Sequence, residues 1–537
     1  MKKIISLLLV LVMVVSLCSC SLFGKNSVIS VGIVNDIVSL DPTRATGDAE
    51  KLIVSNCFEG LVRFDENGAI NLAAATSYSV DKTGCVYTFN LNPKAEYHVS
   101  DLIEATLEAT GLVDFDNKIT AEDFEYGIKR FIASGRDELD CIKGAKSFSD
   151  VSSEAEIGVE ATDEHTLKLT LDKADPDFLY KLATLPLYPC DKAFYDALGD
   201  IYASTPGTTL TNGPYYIKDI TQSEAIIERC DDYTGLIETQ NKQVIMYTTG
   251  KKRLLKERFL AGTYDMYLTS STEVLEGDYK MHTSVNSVWG LVFNCKSKAG
   301  ADKHLRDIIM KTADFSKLEK PEFAISKADR IVPDNFIVGE KCYVDFEPPV
   351  LTPESDAGAA QAKLKRHLKN KKKKSFALTF AVPSEMKDYA DSLVENWNIY
   401  LSPQVTFKVV PYSLEKVDSF IKKGNYDMAI MPVTSKKQTA LSMLTSFSGA
   451  PCYYTDKKMT DSLYAVKKFG SDVAATYQKA EQSIASSDVF FPLFYTGKVI
   501  YYGENVKGIY TADNGRLIYF HSATSDNNGS TQKTEDL

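Results

Sequence analysis

The chain has 537 residues, a formal net charge of -11 and a hydrophobic content of 44%. That length allows roughly two or three domain-sized cores. The acidic balance excludes nucleic acid or an anionic lipid surface as the main partner, because both demand a basic face.

In chain order, Lys2 and Lys3 precede an apolar run from Ile4 to Val15 that is broken only by Ser6. This is the pattern of a signal-peptide core, here residues 1–19. It is too short for a membrane span, which takes about 20 apolar residues. Leu17-Cys18-Ser19-Cys20 resembles the bacterial lipobox. Cys20 fits as the lipid anchor because Ser19 is small, whereas Leu17 is too large to sit just before a cleavage site. An ordinary secretory signal that contains cysteines is the competing reading. On the lipobox reading, each buried acyl methylene contributes about 0.8 kcal/mol. The mature chain is then extracytoplasmic, tethered to the outer face of the cytoplasmic membrane.

Strands and helices alternate from there on. VISVGIV, from Val28 to Val34, is a strand candidate, and the loop SLDPTRATGDAE that follows is rich in turn formers. FEGLVRFDENGAI reads as a hairpin turning at Glu66-Asn67-Gly68, with Asn-Gly supplying positive φ angles. GCVYTFNL and HTLKLTL alternate apolar and polar residues as half-buried strands do. ITAEDFEYGIKRFI places Thr120 as N-cap, Asp123 three residues later, and Phe124, Ile128, Phe131 and Ile132 on one face of a helix. TNGPYYIKDI and EAIIER form another strand pair. ADKHLRDIIMKTAD and MKDYADSLVENWNIYL have helical spacing, whereas SFALTFAV and VTFKVV read as strands. Trp397 falls with Leu393 and Leu401 on one helix face, a core position. Residues 522–537 are polar and read as a disordered tail.

KRHLKNKKKK reads as a solvated loop between a helix and a strand, since it carries no aromatic residue to stack on a base. SDLIEATLEATGLVDFDNK has the look of an inserted surface excursion. The cysteines beyond Cys20 (Cys57, Cys85, Cys141, Cys190, Cys230, Cys295, Cys342 and Cys452) are widely spaced, with no CxxC and no neighbouring histidine. They read as small buried apolar residues, with one or two disulfides open. The histidines (98, 165, 282, 304, 367 and 521) stand apart from one another, each read as a surface or strand residue. The sequence holds no GxSxG elbow, HExxH pair, phosphate loop or calcium loop, so neither an enzyme nor a cofactor or metal site is expected.

The order of short segments resembles the family 5 extracellular solute-binding proteins, the oligopeptide, dipeptide and nickel receptors of ABC importers. Leu40-Asp41-Pro42, Phe58-Glu59-Gly60-Leu61, Thr120-Ala121-Glu122-Asp123-Phe124, Asn212-Gly213-Pro214-Tyr215, Phe293-Asn294 and Arg306 carry the resemblance, which runs from about residue 28 to 521. It implies an α/β, two-lobed periplasmic-binding-protein-like fold (type II, cluster C) with an additional subdomain in the first lobe. The implied first lobe is 28–67, 186–288 and 487–521, its subdomain 68–185, and the second lobe 289–486. The implied function is a substrate-binding lipoprotein that captures an oligopeptide or related small solute between closing lobes. The implied partners are an ABC permease and its ATPase, with the receptor itself a monomer. A degenerate relative acting as a surface sensor or adhesion lipoprotein without transport is the alternative.

The resemblance also implies site residues. Thr46, Gly47 and Asp48 follow Leu40-Asp41-Pro42 in the loop that lines the ligand cavity in the family. Trp289 is a cleft candidate or a buried strand indole. Peptide-binding members hold the ligand amine with an aspartate in a Gly-Trp-x-x-Asp-like setting after the strand corresponding to YDMAIMPV. Counted from Asp427, the tryptophan position falls on Val433 and the aspartate position on Lys436. A cleft lysine would repel an amine and suit a carboxylate, phosphate or sugar, unless TSKKQ is an exposed loop. The family's Trp-Ser-Asp-Gly segment is also missing after EYHVSD.

Overall fold

The computed structural model describes residues 27–33, 37–45, 47–148, 150–151, 156–221, 223–248, 251–270, 275, 277, 279–353, 355–466 and 471–526. The expected signal peptide, Cys20 and Thr46 lie outside the described residues, as does 527–537. Among the described residues no helix is long and apolar enough to cross a membrane.

The architecture is α/β and two-lobed, organised on one mixed sheet of eleven strands among the described residues. In chain order these are β1 (Val28–Ile33), β2 (Tyr215–Ile220), β3 (Glu224–Arg229), β4 (Gln243–Thr248), β5 (Met266–Ser270), β6 (Lys280–Phe293), β7 (Ser326–Lys327), β8 (Phe376–Pro383), β9 (Val405–Tyr412), β10 (Met428–Thr434) and β11 (Phe490–Tyr502). Their spatial order is β9-β8-β10-β6-β11-β5-β1-β4-β3-β2, with β7 beside β11. β1 runs parallel to β4 and β5, and β8 runs parallel to β9 and β10. β6 and β11, 14 and 13 residues long, pair antiparallel and pass through both halves. Lys280–Ser284 and Lys498–Tyr502 belong to the half that holds β5. Ser287–Phe293 and Phe490–Thr496 belong to the half that holds β10.

Between those halves the register slips, leaving Asn286 without an opposite residue while Val285 faces Gly497. An extra residue of this kind bends a strand and raises its twist. A Cβ on residue 497 would lie 1.9 Å from the Ser284 carbonyl oxygen, so only glycine lets the two strands approach here.

Side-chain alternation on β6 shows why that strand reads as an unbroken apolar run. Val288 and Val292 enter one core cluster, and Trp289, Leu291 and Phe293 enter another on the opposite face. Helices 303–311, 357–371 and 387–401 cover the second face, and helices 440–446, 457–464 and 471–486 cover the first. Phe490, Leu493, Phe494 and Tyr495 also pack in these clusters while Ile500 packs in the core of the first half, so β11 is shared between the halves. The first half has its own core around Ile29, Ile53, Phe58, Tyr215, Val244 and Phe520. Beside it, strands 75–80, 86–91, 166–170 and 159–163 form an antiparallel sheet backed by the Ala121–Ala133 helix, around Phe89, Phe124, Phe131 and Leu167. Thr120 and Asp123 cap that helix, the Thr120 N–H donating to the Asp123 carboxylate at 2.8 Å.

The short motifs turn out to be pegs between distant segments. Glu59 and Asn212 exchange two hydrogen bonds of 2.9 Å. Gly213 donates to the Cys57 carbonyl at 2.9 Å, where a Cβ would meet the Cys57 backbone at 2.6 Å. Arg130 pairs with Asp41 at 2.8 Å, both nearly buried, and lies over the Tyr195 ring. Arg306 donates to the carbonyls of Gly300 and Ser487, and Asn294 to those of Gly424 and Tyr426.

Several local expectations are corrected. In the 65–68 turn only Gly68 takes a positive φ, 85°, because a loop closed by Asp65 N–H to Ala69 needs one left-handed residue rather than two. The basic run from Lys365 to Lys371 is helical, its cations completing the C-terminal turns of helix 357–371 where the helix dipole favours them. The 101–110 stretch is a capped helix with Ile103 and Leu107 buried. Ser522–Asp526 is ordered, with Thr524–Ser525 paired to Val506–Lys507 and the Asn241 side chain donating to the Ala523 carbonyl at 2.9 Å. The described cysteines are all free thiols. Trp397 is fully buried, its indole N–H on the Ile309 carbonyl at 3.1 Å.

Glu59 is buried with the Tyr233 hydroxyl at 2.7 Å, and burial pushes its carboxyl from 4.5 to about 7. The folded chain therefore keeps this proton to higher pH than the unfolded chain does. Its contribution is greatest below about pH 4.5 and is lost as pH rises towards 7. Denaturant unfolding across that window should show the wild type losing up to about 3 kcal/mol relative to Glu59→Gln. Parallel curves for the two proteins would contradict this.

Candidate functional site

Where loops of the first half meet the segment after β10, the chain encloses a cavity of about 170 Å³. Helix 48–57 contributes Lys51, Val54 and Ser55, and the loop before it contributes Ala45. Arg136 and Glu138 follow the Ala121–Ala133 helix, and Tyr180 and Lys181 sit on helix 178–184. Asp513 and Arg516 come from the C-terminal turn, and Lys437 comes from the second half.

The floor is a polar junction between the halves. The Tyr180 hydroxyl donates to Asp513 and accepts from the Gln438 N–H at 2.8 Å. Gln438, 2% exposed, also donates its side-chain amide to the Asn335 carbonyl and accepts from the Asn514 N–H, each at 2.8 Å. The Thr439 hydroxyl donates to Asp177 at 3.0 Å. A second bridge lies at the edge, where Ile70 N–H donates to the Glu340 carbonyl and the Tyr78 hydroxyl to its carboxylate, both at 2.8 Å.

Most of the cavity's charges are paired inside the wall. Lys181 binds Asp175 at 2.7 Å, Arg136 binds Glu138 at 2.7 Å, and Arg516 lies 3.5 Å from Asp513 while donating to the Lys436 carbonyl. Burial, followed by the neighbouring Asp175, raises the Asp177 carboxyl to about 6, against the pull of Lys437. Burial also raises Asp513, with Arg516 pulling it back. Among the described residues no carboxylate pairs with Lys51 or Lys437, so the wall carries a surplus of positive charge in an acidic protein.

The expected site residues fall in different places. Gly47 precedes helix 48–57, its N–H donating to Glu50 at 2.9 Å, while the other Glu50 oxygen accepts from Val38 and Ser39. Asp48 opens that helix, so this loop reaches the cavity through Ala45 and the helix behind it. Trp289 is 3% exposed, donates to the Thr496 hydroxyl at 2.9 Å and packs on Phe323 in a core cluster. Val433, 1% exposed, pairs with Val288 in the opposite cluster. Neither lines the cavity. Lys436 is exposed, and the next two residues turn inward: Lys437 to the cavity wall and Gln438 to the junction. The gapless count from Asp427 thus lands one residue early on the lysine that faces the cavity. Tyr180, Asp513 and Arg516 escaped the sequence reading because they meet only through long-range packing, with 333 residues between Tyr180 and Asp513.

Tyr180→Phe leaves the Gln438 N–H without its acceptor and Asp513 without its hydroxyl donor. Urea unfolding should show a loss of about 1–3 kcal/mol, and an unchanged stability would contradict the junction.

The sequence model described as bacterial extracellular solute-binding proteins, family 5 Middle, matches residues 69–454. The dipeptide-binding protein of Lactococcus lactis is 26% identical over 263 residues, 47% of this chain and 45% of the relative. The periplasmic oligopeptide-binding protein OppA of Escherichia coli is 30% identical over 250 residues, 43% of this chain and 41% of the relative. The matched region thus spans less than half the length of these relatives. In three dimensions the chain aligns with the unliganded open form of the periplasmic murein tripeptide binding protein MppA at a TM-score of 0.70 and 19% identity, covering 93% of this chain and 98% of that one.

Proposed function

The chain belongs to the bacterial extracellular solute-binding proteins of family 5, and on that premise we propose that it captures a peptide or related small solute between two closing lobes and delivers it to an ABC permease and its ATPase. The observation that carries this reading is a cavity built by the first half and completed by Lys437 of the second, in a protein whose shared strands slip register at Asn286 beside Gly497. In this proposal lobe I comprises 28–67, 186–288 and the C-terminal part of 487–521, with 68–185 as its subdomain. Lobe II comprises 289–486 together with the first half of β11.

Contacts that a guest makes only when both walls meet favour the closed arrangement, and the permease can then read loading from shape. Cys20 would tether the receptor, a monomer, beside its transporter at the outer face of the cytoplasmic membrane.

The wall chemistry favours a guest carrying a carboxylate or other anion. Among the described residues Lys51 and Lys437 make no close ion pair, and the place where a ligand amine would need an acid holds lysines. A charge-assisted hydrogen bond there contributes about 1.5–3 kcal/mol. The site is smaller than the usual 300–1,000 Å³ of a drug-sized ligand pocket, so opening of the lobes must precede entry.

Isothermal calorimetry with paired peptides differing only by Glu or Gln tests the reading. The wild type should favour the Glu peptide about tenfold, a difference near 1.4 kcal/mol. Lys437→Ala should abolish that preference and Lys436→Ala should keep it. Equal affinities for the two peptides in the wild type would overturn the anion preference.

A further inference from the structure

Away from the cavity, one side chain of the subdomain's 92–98 segment meets two from the turn that follows β3. Among the described residues, His98, Cys230 and Asp232 form the one cluster of three potential metal ligands. Their donor atoms lie close to one another: His98 Nδ1 to Asp232 Oδ1 is 3.1 Å, Cys230 Sγ to Asp232 Oδ1 is 3.1 Å, and Cys230 Sγ to His98 Nδ1 is 3.3 Å.

That triangle matches one face of a coordination tetrahedron. Ligand atoms about 2.0–2.3 Å from a zinc ion in tetrahedral geometry lie about 3.3–3.6 Å from one another. The observed edges are a few tenths of an ångström shorter, a difference that small side-chain rotations restore. A thiolate, an imidazole and a carboxylate are together a donor set that suits zinc.

The arrangement is not that of a nucleophile and its base. In such a relay the imidazole presents one nitrogen to the thiol and the other to the carboxylate. Here both partners face the same Nδ1, so the three groups point at one position in space. Two of them are held by backbone. His98 N–H donates to the Thr211 carbonyl at 2.8 Å and Cys230 N–H to the Pro214 carbonyl at 3.0 Å. The His98 ring also stacks on Tyr216, with centroids 4.3 Å apart.

We propose that His98, Cys230 and Asp232 bind a divalent transition-metal ion of the zinc type, clipping the subdomain's 92–98 segment to the strand end of the first lobe. Binding displaces the Cys230 thiol proton to solvent, and the sulfur, Nδ1 and one carboxylate oxygen become ligands. The Asp232 side chain is 68% exposed, so the fourth position opens to water. The metal joins residues 132 apart in sequence and lies outside the solute cavity, so the clip acts on the rigidity of the first lobe rather than on the guest.

The test uses the full chain, reduced and stripped of metal with a chelator, and titrated with Co²⁺. The wild type should take up one equivalent with a thiolate-to-cobalt charge-transfer absorption, and Zn²⁺ should displace it. Cys230→Ser should abolish the absorption. Asp232→Ala, which also removes the carboxylate's contacts to His98 and Cys230, should weaken Co²⁺ at least tenfold in protein whose circular dichroism shows it folded. A wild type without thiolate absorption, an absorption that survives in Cys230→Ser, or an Asp232→Ala protein with unchanged affinity would each overturn the proposal.

Discussion

The structure depends on two strands that the lobes share. β6 and β11 run unbroken from one half of the sheet into the other, so relative movement has to be absorbed within them. A ladder of backbone hydrogen bonds resists bending, except where a residue is already unpaired. The Asn286 bulge provides that place, and Gly497 opposite lets the strands approach more closely than any side chain would permit. Among the described residues the halves are also joined by individual contacts such as Tyr180 with Gln438 and Ile70 and Tyr78 with Glu340.

Most of those contacts are polar, although Ile337 and Cys342 of the second half also pack in the subdomain's core and the buried Asn514 side-chain amide makes no hydrogen bond among the described residues. Gln438 alone engages Tyr180 and Asn514 across the junction and is braced by Asn335 on its own side, and the Thr439 hydroxyl meets Asp177. Hydrogen bonds exchanged for water on opening cost little net, about 0.5–1.5 kcal/mol each. An apolar seam of similar extent would hold the halves shut. The same junction leaves Lys51 and Lys437 as wall cations that make no ion pair within 4 Å among the described residues, although Lys437 still acts on Asp175, Asp177 and Glu138 and Lys51 on Asp513.

How legible this was in the sequence depended on range. Elements governed by local patterning were readable: the capped helix at Thr120, the strands from Phe376 and Val405, and the buried face of Trp397 follow from periodicity and capping chemistry. The short motifs identified the family, yet their physical role became clear only in the fold. Arg130 with Asp41 and Asn212 with Glu59 pin segments that are far apart in the chain. The cavity was less legible. Counting along TSKKQ reaches Lys436, which is exposed, whereas Lys437 lines the cavity, because one residue of turn decides which side chain points inward. The meeting of His98 with Cys230 had no sequence signature, since they lie 132 positions apart and the nearby ligand candidate is an exposed acid, Asp232, two residues after Cys230.

If one hinge lets the two lobes close over a guest, closure should be visible in small-angle X-ray scattering of the full chain, titrated with a peptide whose binding calorimetry has registered. The radius of gyration should fall as the site fills and recover when the peptide is removed. Binding heat with a scattering profile that does not change at saturation would contradict it.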